Sequence, residues 1–251
     1  MSKRDDIDLL YRRSNTLAAA CKFLFLGNCI FSLIATICSG QIKVVFTYLQ
    51  VVGALTYVAI KCVDDGLYWY GAERARRKNS IQVAFNIPLA ELETEGYYNN
   101  TLTPSFTKYA LNAFESNYFS KFIAGKMLIK SALKALVSVV VLFATGWLVS
   151  NGDILLIISQ AVFSAYVVEN TVLLTMYKAK MDNLYDEAYS SFVTVGIKNK
   201  KQKVWLLSYA VEYEAIKAHY KVRLDSAIFN KYNDELSKKW DLLQKKIVVE
   251  Q

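Results

Sequence analysis

The chain has 251 residues, of which 54% are hydrophobic and 21% are charged, and its formal net charge is +8. So many apolar side chains exclude a disordered or low-complexity chain, whereas 30 Lys and Arg with 22 Asp and Glu are too many for a chain wholly buried in lipid. The composition therefore predicts a chain that lies partly in a bilayer and partly in water and that has anionic partners.

Long uncharged segments predict four transmembrane helices. They are Phe23–Ile42, Val44–Ile60, Ala135–Gly152 and Ile154–Tyr177, the last of which contains Glu169. A bilayer core of about 30 Å needs about 20 helical residues, which each segment reaches with its flanks. The links Gln41–Lys43 and Ser150–Asp153 are too short for anything but turns, so we expect two transmembrane hairpins, 23–60 and 135–177.

The basic residues gather outside these hairpins, in segments 1–22, 61–134 and 178–251. The positive-inside rule therefore places both termini and the middle segment in the cytoplasm. Pro88 and the segment Gly96–Pro104 predict a loop. Helical periodicity resumes over Phe106–Lys130, breaks at Gly196 and continues as one amphipathic run over Val204–Ile247. The fold class is thus an all-α membrane protein, with two transmembrane hairpins, a cytosolic helical insert and a cytosolic helical tail.

Catalytic and metal-binding motifs are missing from the sequence. The four cysteines lie in or beside apolar segments without C-x-x-C spacing, and the single histidine, His219, is far from them. We find no nucleophile elbow, Walker loop or dinucleotide fingerprint. The sequence therefore predicts a protein that is not an enzyme and needs no cofactor.

Two basic clusters flank the predicted spans. One comprises Arg74, Arg76, Arg77 and Lys78, and the other Lys198, Lys200, Lys201 and Lys203. Such clusters beside spans are typical of solvated faces attracted to anionic lipid. They also supply several donors to phosphate oxygens, as a phosphate-bearing ligand requires. The residues alone leave both interpretations open.

Polar residues follow one face of the fourth predicted span, at Gln160, Ser164, Thr171 and Thr175. They either form hydrogen bonds between helices or line a water-filled path. Glu169 is the more specific candidate, because a carboxylate at mid-bilayer costs at least about 2.5–3.5 kcal/mol and so faces water or a partner. We expect it either to act in a pore or gate, or to pair with Lys61 or Lys134.

This layout resembles the SMODS-associated four-transmembrane effectors encoded beside bacterial nucleotide-signalling antiphage genes. The resemblance is carried by the segments Ala72–Leu89, Gly96–Asn99, Asn112–Met127 and Tyr213–Tyr232. It implies a homo-oligomer in the bacterial inner membrane, which stays closed until a nucleotide or oligonucleotide messenger from a partner nucleotidyltransferase binds the cytosolic part. Together with the basic clusters it adds Tyr97, Tyr98, Lys217 and Arg223 to the candidate ligand site.

We therefore expect a ligand-gated, pore-forming membrane effector of antiphage defence. The alternative is a membrane-anchored interaction protein whose cytosolic helices bind a partner and whose polar stripes only pack.

Overall fold

The computed structural model describes residues 4–92, 94–95, 98, 100–148, 154–197 and 200–247, and these are nearly all helical. The helices are α1 (Asp8–Ile37), α2 (Gly40–Val63), α3 (Tyr70–Phe85), α4 (Phe106–Leu148), α5 (Ile154–Tyr189), α6 (Lys200–Tyr220) and α7 (Ser226–Gln244). A π-helical segment, Asp64–Trp69, joins α2 to α3, and a second one, Ser190–Val195, extends α5. Two short strands, β1 (Arg4–Asp5) and β2 (Thr94–Glu95), pair in antiparallel register.

Three helical stretches are long and apolar enough to cross a membrane: Asp8–Ile37, Gly40–Phe85 and Phe106–Ala144. Only 22%, 6% and 11% of their most apolar windows are buried within the protein. Apolar helices left so uncovered need lipid or other subunits around them, because soluble proteins rarely expose large apolar patches. The fourth predicted span, Ile154–Tyr177, lies within α5, and the side chains of 154–160 are outside the described set. The predicted turn Ser150–Asp153 also lies outside the described residues.

The turn between α1 and α2 differs from the prediction. The turn was predicted at Gln41–Lys43, whereas these residues lie in α2 and the helices are separated at Cys38 and Ser39. Gly40 has a φ of +63°, and glycine adopts this left-handed conformation without the steric cost of a Cβ atom. The prediction was wrong because it used the charged residue Lys43 to separate the two apolar segments, whereas the backbone conformation at Gly40 sets the position of the turn.

The described chain divides into two compact units. Unit 1 comprises Met1–Ile7, Glu73–Ile129 and Leu173–Gln251, and unit 2 comprises Asp8–Ala72 and Lys130–Val172. Each unit is thus built from segments that are distant in sequence. The boundaries of the lipid-embedded segments, at residues 22, 60, 134 and 177, remain predictions.

In unit 2, the buried face of α1 carries small or polar residues. Ser14, Cys21, Asn28 and Ala35 are all buried and follow a seven-residue spacing. This spacing is typical of a seam between two packed helices, and the Asn28 amide donates to the Gln50 carbonyl of α2 at 3.5 Å. The free cysteines differ in exposure: Cys21 is buried, Cys29 and Cys38 are partly buried, and Cys62 is exposed.

The core of unit 1 is aromatic. Phe114 of α4 is fully buried, and its ring centroid lies 5.5 Å from that of Phe192 and 5.2 Å from that of Trp240. The predicted helical stripe of the insert contributes to this core through Tyr109 and Ala113. Helices α4, α5, α6 and α7 and the extension of α5 therefore share one hydrophobic core, to which Ala84 of α3 also contributes.

The predicted run Val204–Ile247 is two helices rather than one. Helix α6 ends at Tyr220, and Lys221 has a φ of +48°. Asp225 then caps α7, since its side chain accepts hydrogen bonds from the backbone N–H groups of Ala227 at 2.9 Å and Ile228 at 3.2 Å. The prediction of one continuous run was wrong because the apolar periodicity continues from α6 into α7. The break between these helices is set by the backbone at Lys221 and by the Asp225 cap.

Candidate functional site

The basic residues of α3 differ in exposure. Arg74 and Lys78 are exposed, whereas Arg76 and Arg77 are half-buried. Arg74 and Lys78 are four residues apart, and residues four apart share a face of a helix. Arg74 and Lys78 are therefore the members of this cluster that present their charge to solvent.

Polar side chains of α3 hold the loop that follows it. The Gln82 Oε1 atom accepts hydrogen bonds from the backbone N–H groups of Leu89 at 2.9 Å and Ala90 at 2.8 Å. The Asn79 amide donates to the Thr94 hydroxyl at 2.7 Å. The Tyr98 hydroxyl lies 3.4 Å from the Ser80 hydroxyl, to which it donates. Tyr98 thus lies next to α3, whereas Tyr97 is outside the described residues.

Lys217 lies in a compact ionic cluster in unit 1. Its Nζ atom is 3.0 Å from Glu73 Oε2 and 3.5 Å from Glu214 Oε2. All three side chains are between 13% and 17% exposed, so the cluster is largely shielded from water. Two carboxylates surround one ammonium group, and Lys217 therefore neutralises its neighbours rather than offering a free charge to an anion.

Buried tyrosines extend this cluster toward α4. The Tyr213 hydroxyl lies 3.4 Å from the Ser120 hydroxyl, and the Asn117 amide donates to the Tyr209 hydroxyl at 3.4 Å. Burial raises the pKa of Tyr213 well above its ordinary value, although nearby Lys217 acts in the opposite direction. Burial also raises the pKa of Tyr209. Both phenols are therefore neutral hydrogen-bonding groups that join α6 to α4.

The second basic cluster is at the other end of α6. Lys201 and Lys203 are exposed in the first turns of the helix, Lys198 lies outside the described residues, and Lys200 is placed only by its backbone. At 1.5 Å per residue, Lys201 is about 24 Å along α6 from Lys217, which contacts Glu73 at the start of α3. Arg223 is half-buried in the link between α6 and α7. The structure therefore does not gather all predicted ligand residues around one small pocket.

The predicted pore residues of α5 fall into two groups. The Ser138 hydroxyl donates a hydrogen bond to the Ser164 hydroxyl at 2.9 Å. The Thr171 and Ser131 hydroxyls form a hydrogen bond at 2.8 Å. Both pairs join α5 to α4, which is the helix–helix alternative for these two residues. Gln160 is placed only by its backbone.

Glu169 belongs to neither pair. Its side chain is exposed, and among the described residues no hydrogen bond or ion pair involves it. Lys61, one of its expected partners, pairs with Asp65 at 2.9 Å instead. Glu169 is therefore an exposed carboxylate close to the exposed apolar residue Val172 in sequence.

Sequence reasoning missed four residues of these arrangements: Glu73, Glu214, Ser131 and Ser138. Ser131 and Ser138 follow the same seven-residue spacing as Ser164 and Thr171, which could have indicated a matched pair of helix faces. Glu214 precedes Lys217 by three positions, a spacing that predicts a helical ion pair. Nothing local indicates Glu73, because only tertiary packing brings it to α6.

Comparison with known protein families, with curated proteins and with solved structures gives no match for this chain.

Proposed function

We propose that the protein is an oligomeric effector of the bacterial inner membrane that opens a pore when an anionic messenger binds its cytosolic part, in antiphage defence. The messenger is a nucleotide or oligonucleotide made by a partner nucleotidyltransferase. In this proposal α5 supplies a fourth span beside the three membrane-capable helices, and both termini are cytoplasmic.

The exposed, unpaired carboxylate of Glu169 carries the pore proposal. An uncompensated charge facing hydrocarbon is costly, so water or another subunit has to cover it. One protomer has little room for a channel between its own helices, and several copies around an axis would turn this surface inward. The sparse burial of the apolar helices, 6–22% of their windows, leaves ample surface for such contacts.

The exposed charges of unit 1 support an anionic ligand. Arg74 and Lys78 offer donors on α3, and Lys201 and Lys203 offer them at the start of α6. Clustered Arg and Lys bind phosphate oxygens through charge-assisted hydrogen bonds. Because the clusters are associated with different ends of α6, an extended oligonucleotide suits them better than a mononucleotide. Such a ligand opens the pore only if it binds the open state more tightly.

Single-channel recording of the purified protein in planar bilayers tests this proposal. We expect cyclic or linear oligonucleotides to induce openings, and we expect Glu169→Gln to change unitary conductance or cation selectivity. Ser164→Ala is the matched control, because its hydroxyl faces α4 and its loss should leave conductance unchanged. Unaltered currents in Glu169→Gln would remove this residue from the conduction path.

A second candidate is a membrane-anchored interaction protein. The pairing of Ser164 and Thr171 with α4 inside one protomer favours it, because these hydroxyls need no water-filled path. A bilayer that stays silent with every oligonucleotide tried, together with tight binding of a protein partner to the cytosolic helices, would support this candidate over the pore.

A further inference from the structure

A groove opens in unit 2 where the start of α1 meets the junction between the π-helical segment and α3. Its volume is about 460 Å³, which is within the range of small-ligand sites, about 300–1,000 Å³. Three leucines make its walls apolar: Leu9, Leu10 and Leu67. Gly71 also lines the groove, and a Cβ atom added there would meet nothing within 4 Å. The space in front of Gly71 is therefore open.

The groove has one charged lining residue, Arg13. Its guanidinium carbon lies 6.0 Å from the ring centroid of Tyr68, which also lines the groove. Among the described residues Arg13 forms no ion pair with a carboxylate. A cation beside apolar walls and a phenol matches an amphiphile that has an anionic group and a hydrocarbon part.

The position along α1 indicates which amphiphile. With the hairpin turn at Cys38 and Ser39 on the far side of the bilayer, about 20 residues reach back from Ile37 to about Ala18. Lys22 is then about 6 Å inside this limit, from where its long side chain extends its ammonium group back to the headgroups. Arg13 then lies about five residues, or about 7 Å, beyond the hydrocarbon core. The polar layer on each side of the core is about 5–7 Å thick, so the Arg13 guanidinium is at the depth of lipid phosphates.

The backbone around the groove adds a second observation. The segment Asp64–Trp69 is π-helical, and such segments are frequent at functional sites. It carries Leu67 and Tyr68 into the groove, and the Trp69 ring packs edge-on against Tyr11 of α1 at 5.4 Å. The groove is thus fixed on both sides by helical backbone.

We propose that this groove binds an anionic phospholipid, with the lipid phosphate at Arg13 and the glycerol and first acyl carbons between Leu9, Leu10 and Leu67. The site rests on the membrane location of α1 and α2 and does not depend on a messenger or a pore.

Native mass spectrometry of the full-length protein in detergent, with added phosphatidylglycerol or phosphatidylcholine, tests the site. We expect one tightly retained phosphatidylglycerol per protomer and weaker retention of phosphatidylcholine. Arg13→Gln should weaken phosphatidylglycerol retention about tenfold, since it removes the charged donor. Gly71→Trp should abolish the tight retention of phosphatidylglycerol by filling the groove.

Gly66→Trp is the matched control. Gly66 is also exposed and has nothing within 4 Å of an added Cβ atom, but it does not line the groove, so retention should equal that of the unchanged chain. Equal retention in Gly71→Trp and Gly66→Trp would overturn the proposal, and so would equal retention of the two lipids by the unchanged chain. If Gly71→Trp does not fold, the Arg13→Gln variant tests the site, and unchanged phosphatidylglycerol retention in that variant overturns the proposal.

Soluble glycerol 3-phosphate separates a lipid from a free phosphate ester. We expect millimolar glycerol 3-phosphate to leave the bound phosphatidylglycerol in place, because it lacks the acyl chains that contact the leucines. Displacement would show that the phosphate alone is recognised and would overturn the assignment to a phospholipid. Channel recordings of Glu169→Gln are independent of this outcome, so the two proposals fail separately.

Discussion

Replacing Lys217 with methionine tests whether its charge is structural. The substitution keeps most of the side-chain volume but removes the ammonium group that lies 3.0 Å from Glu73 Oε2 and 3.5 Å from Glu214 Oε2. We expect a loss of folding stability in unit 1, because two largely shielded carboxylates then repel one another.

The magnitude follows from the exposure of the three side chains. Removing one partner of a fully buried ion pair costs about 3–5 kcal/mol, and removing one from an exposed pair costs less than about 1 kcal/mol. At 13–17% exposure, the cluster lies between these limits, so we expect about 2 kcal/mol. For a chain of this size that corresponds to a fall in the melting temperature of roughly 4–8 °C.

Thermal unfolding followed by tryptophan fluorescence measures this shift, because Trp205 and Trp240 both belong to unit 1. Lys239→Met is the matched control, since Lys239 pairs with Glu235 at 2.6 Å on α7 but both side chains are more than half exposed. Its melting temperature should fall by no more than about 2–4 °C.

Adding Glu214→Gln to Lys217→Met should recover part of the lost stability, because it removes one of the two carboxylate charges beside position 217. A Lys217→Met shift no larger than that of Lys239→Met would refute the reasoning. No recovery in the double variant would show that the loss comes from packing rather than from charge.

Three further outcomes are expected. Asp225→Ala should destabilise the protein by about 1 kcal/mol because it removes both cap hydrogen bonds of α7, and Asp225→Asn, which keeps an acceptor, should cost much less; melting temperatures compare the two, and equal losses would contradict the cap. Ser138→Ala should cost about 0.6 kcal/mol, and the pair with Ser164→Ala should be non-additive in a double-mutant cycle, whereas simple additivity would show that the two hydroxyls do not interact. Because burial raises the pKa of Tyr213 and favours the neutral phenol in the folded state, its contribution to stability is complete below about pH 10 and is lost above it. Tyr213→Phe should therefore reduce the loss of melting temperature above pH 10, and an unchanged alkaline transition would contradict this.

The sequence predicted the helical class well because its signals are local. Uncharged length indicated α1, α2 and the apolar part of α4, and Gly196, which ends the extension of α5 with a φ of +75°, was recognised as a break. The break at Lys221 was missed, because a positive φ at a lysine has no compositional mark and the Asp225 cap is one acidic residue among many.

The candidate site was less predictable, because tertiary packing decides it. Lys217 was predicted to bind an anionic ligand because it is positively charged, whereas Glu73, with which it pairs, is distant in sequence. The spacing of Ser164 and Thr171 indicated a shared face of α5 but not what that face contacts. In the structure, that face of α5 contacts the matching serines of α4.

The graded exposure of the cysteines lets the native chain report its own orientation. Cys62 is exposed after the second apolar segment, whereas Cys38 is partly exposed at the turn between α1 and α2. If α1 and α2 cross the bilayer, these two thiols emerge on opposite sides of it. A membrane-impermeant maleimide added to sealed vesicles would therefore modify one thiol and spare the other, and detergent would make both accessible without any engineered residue.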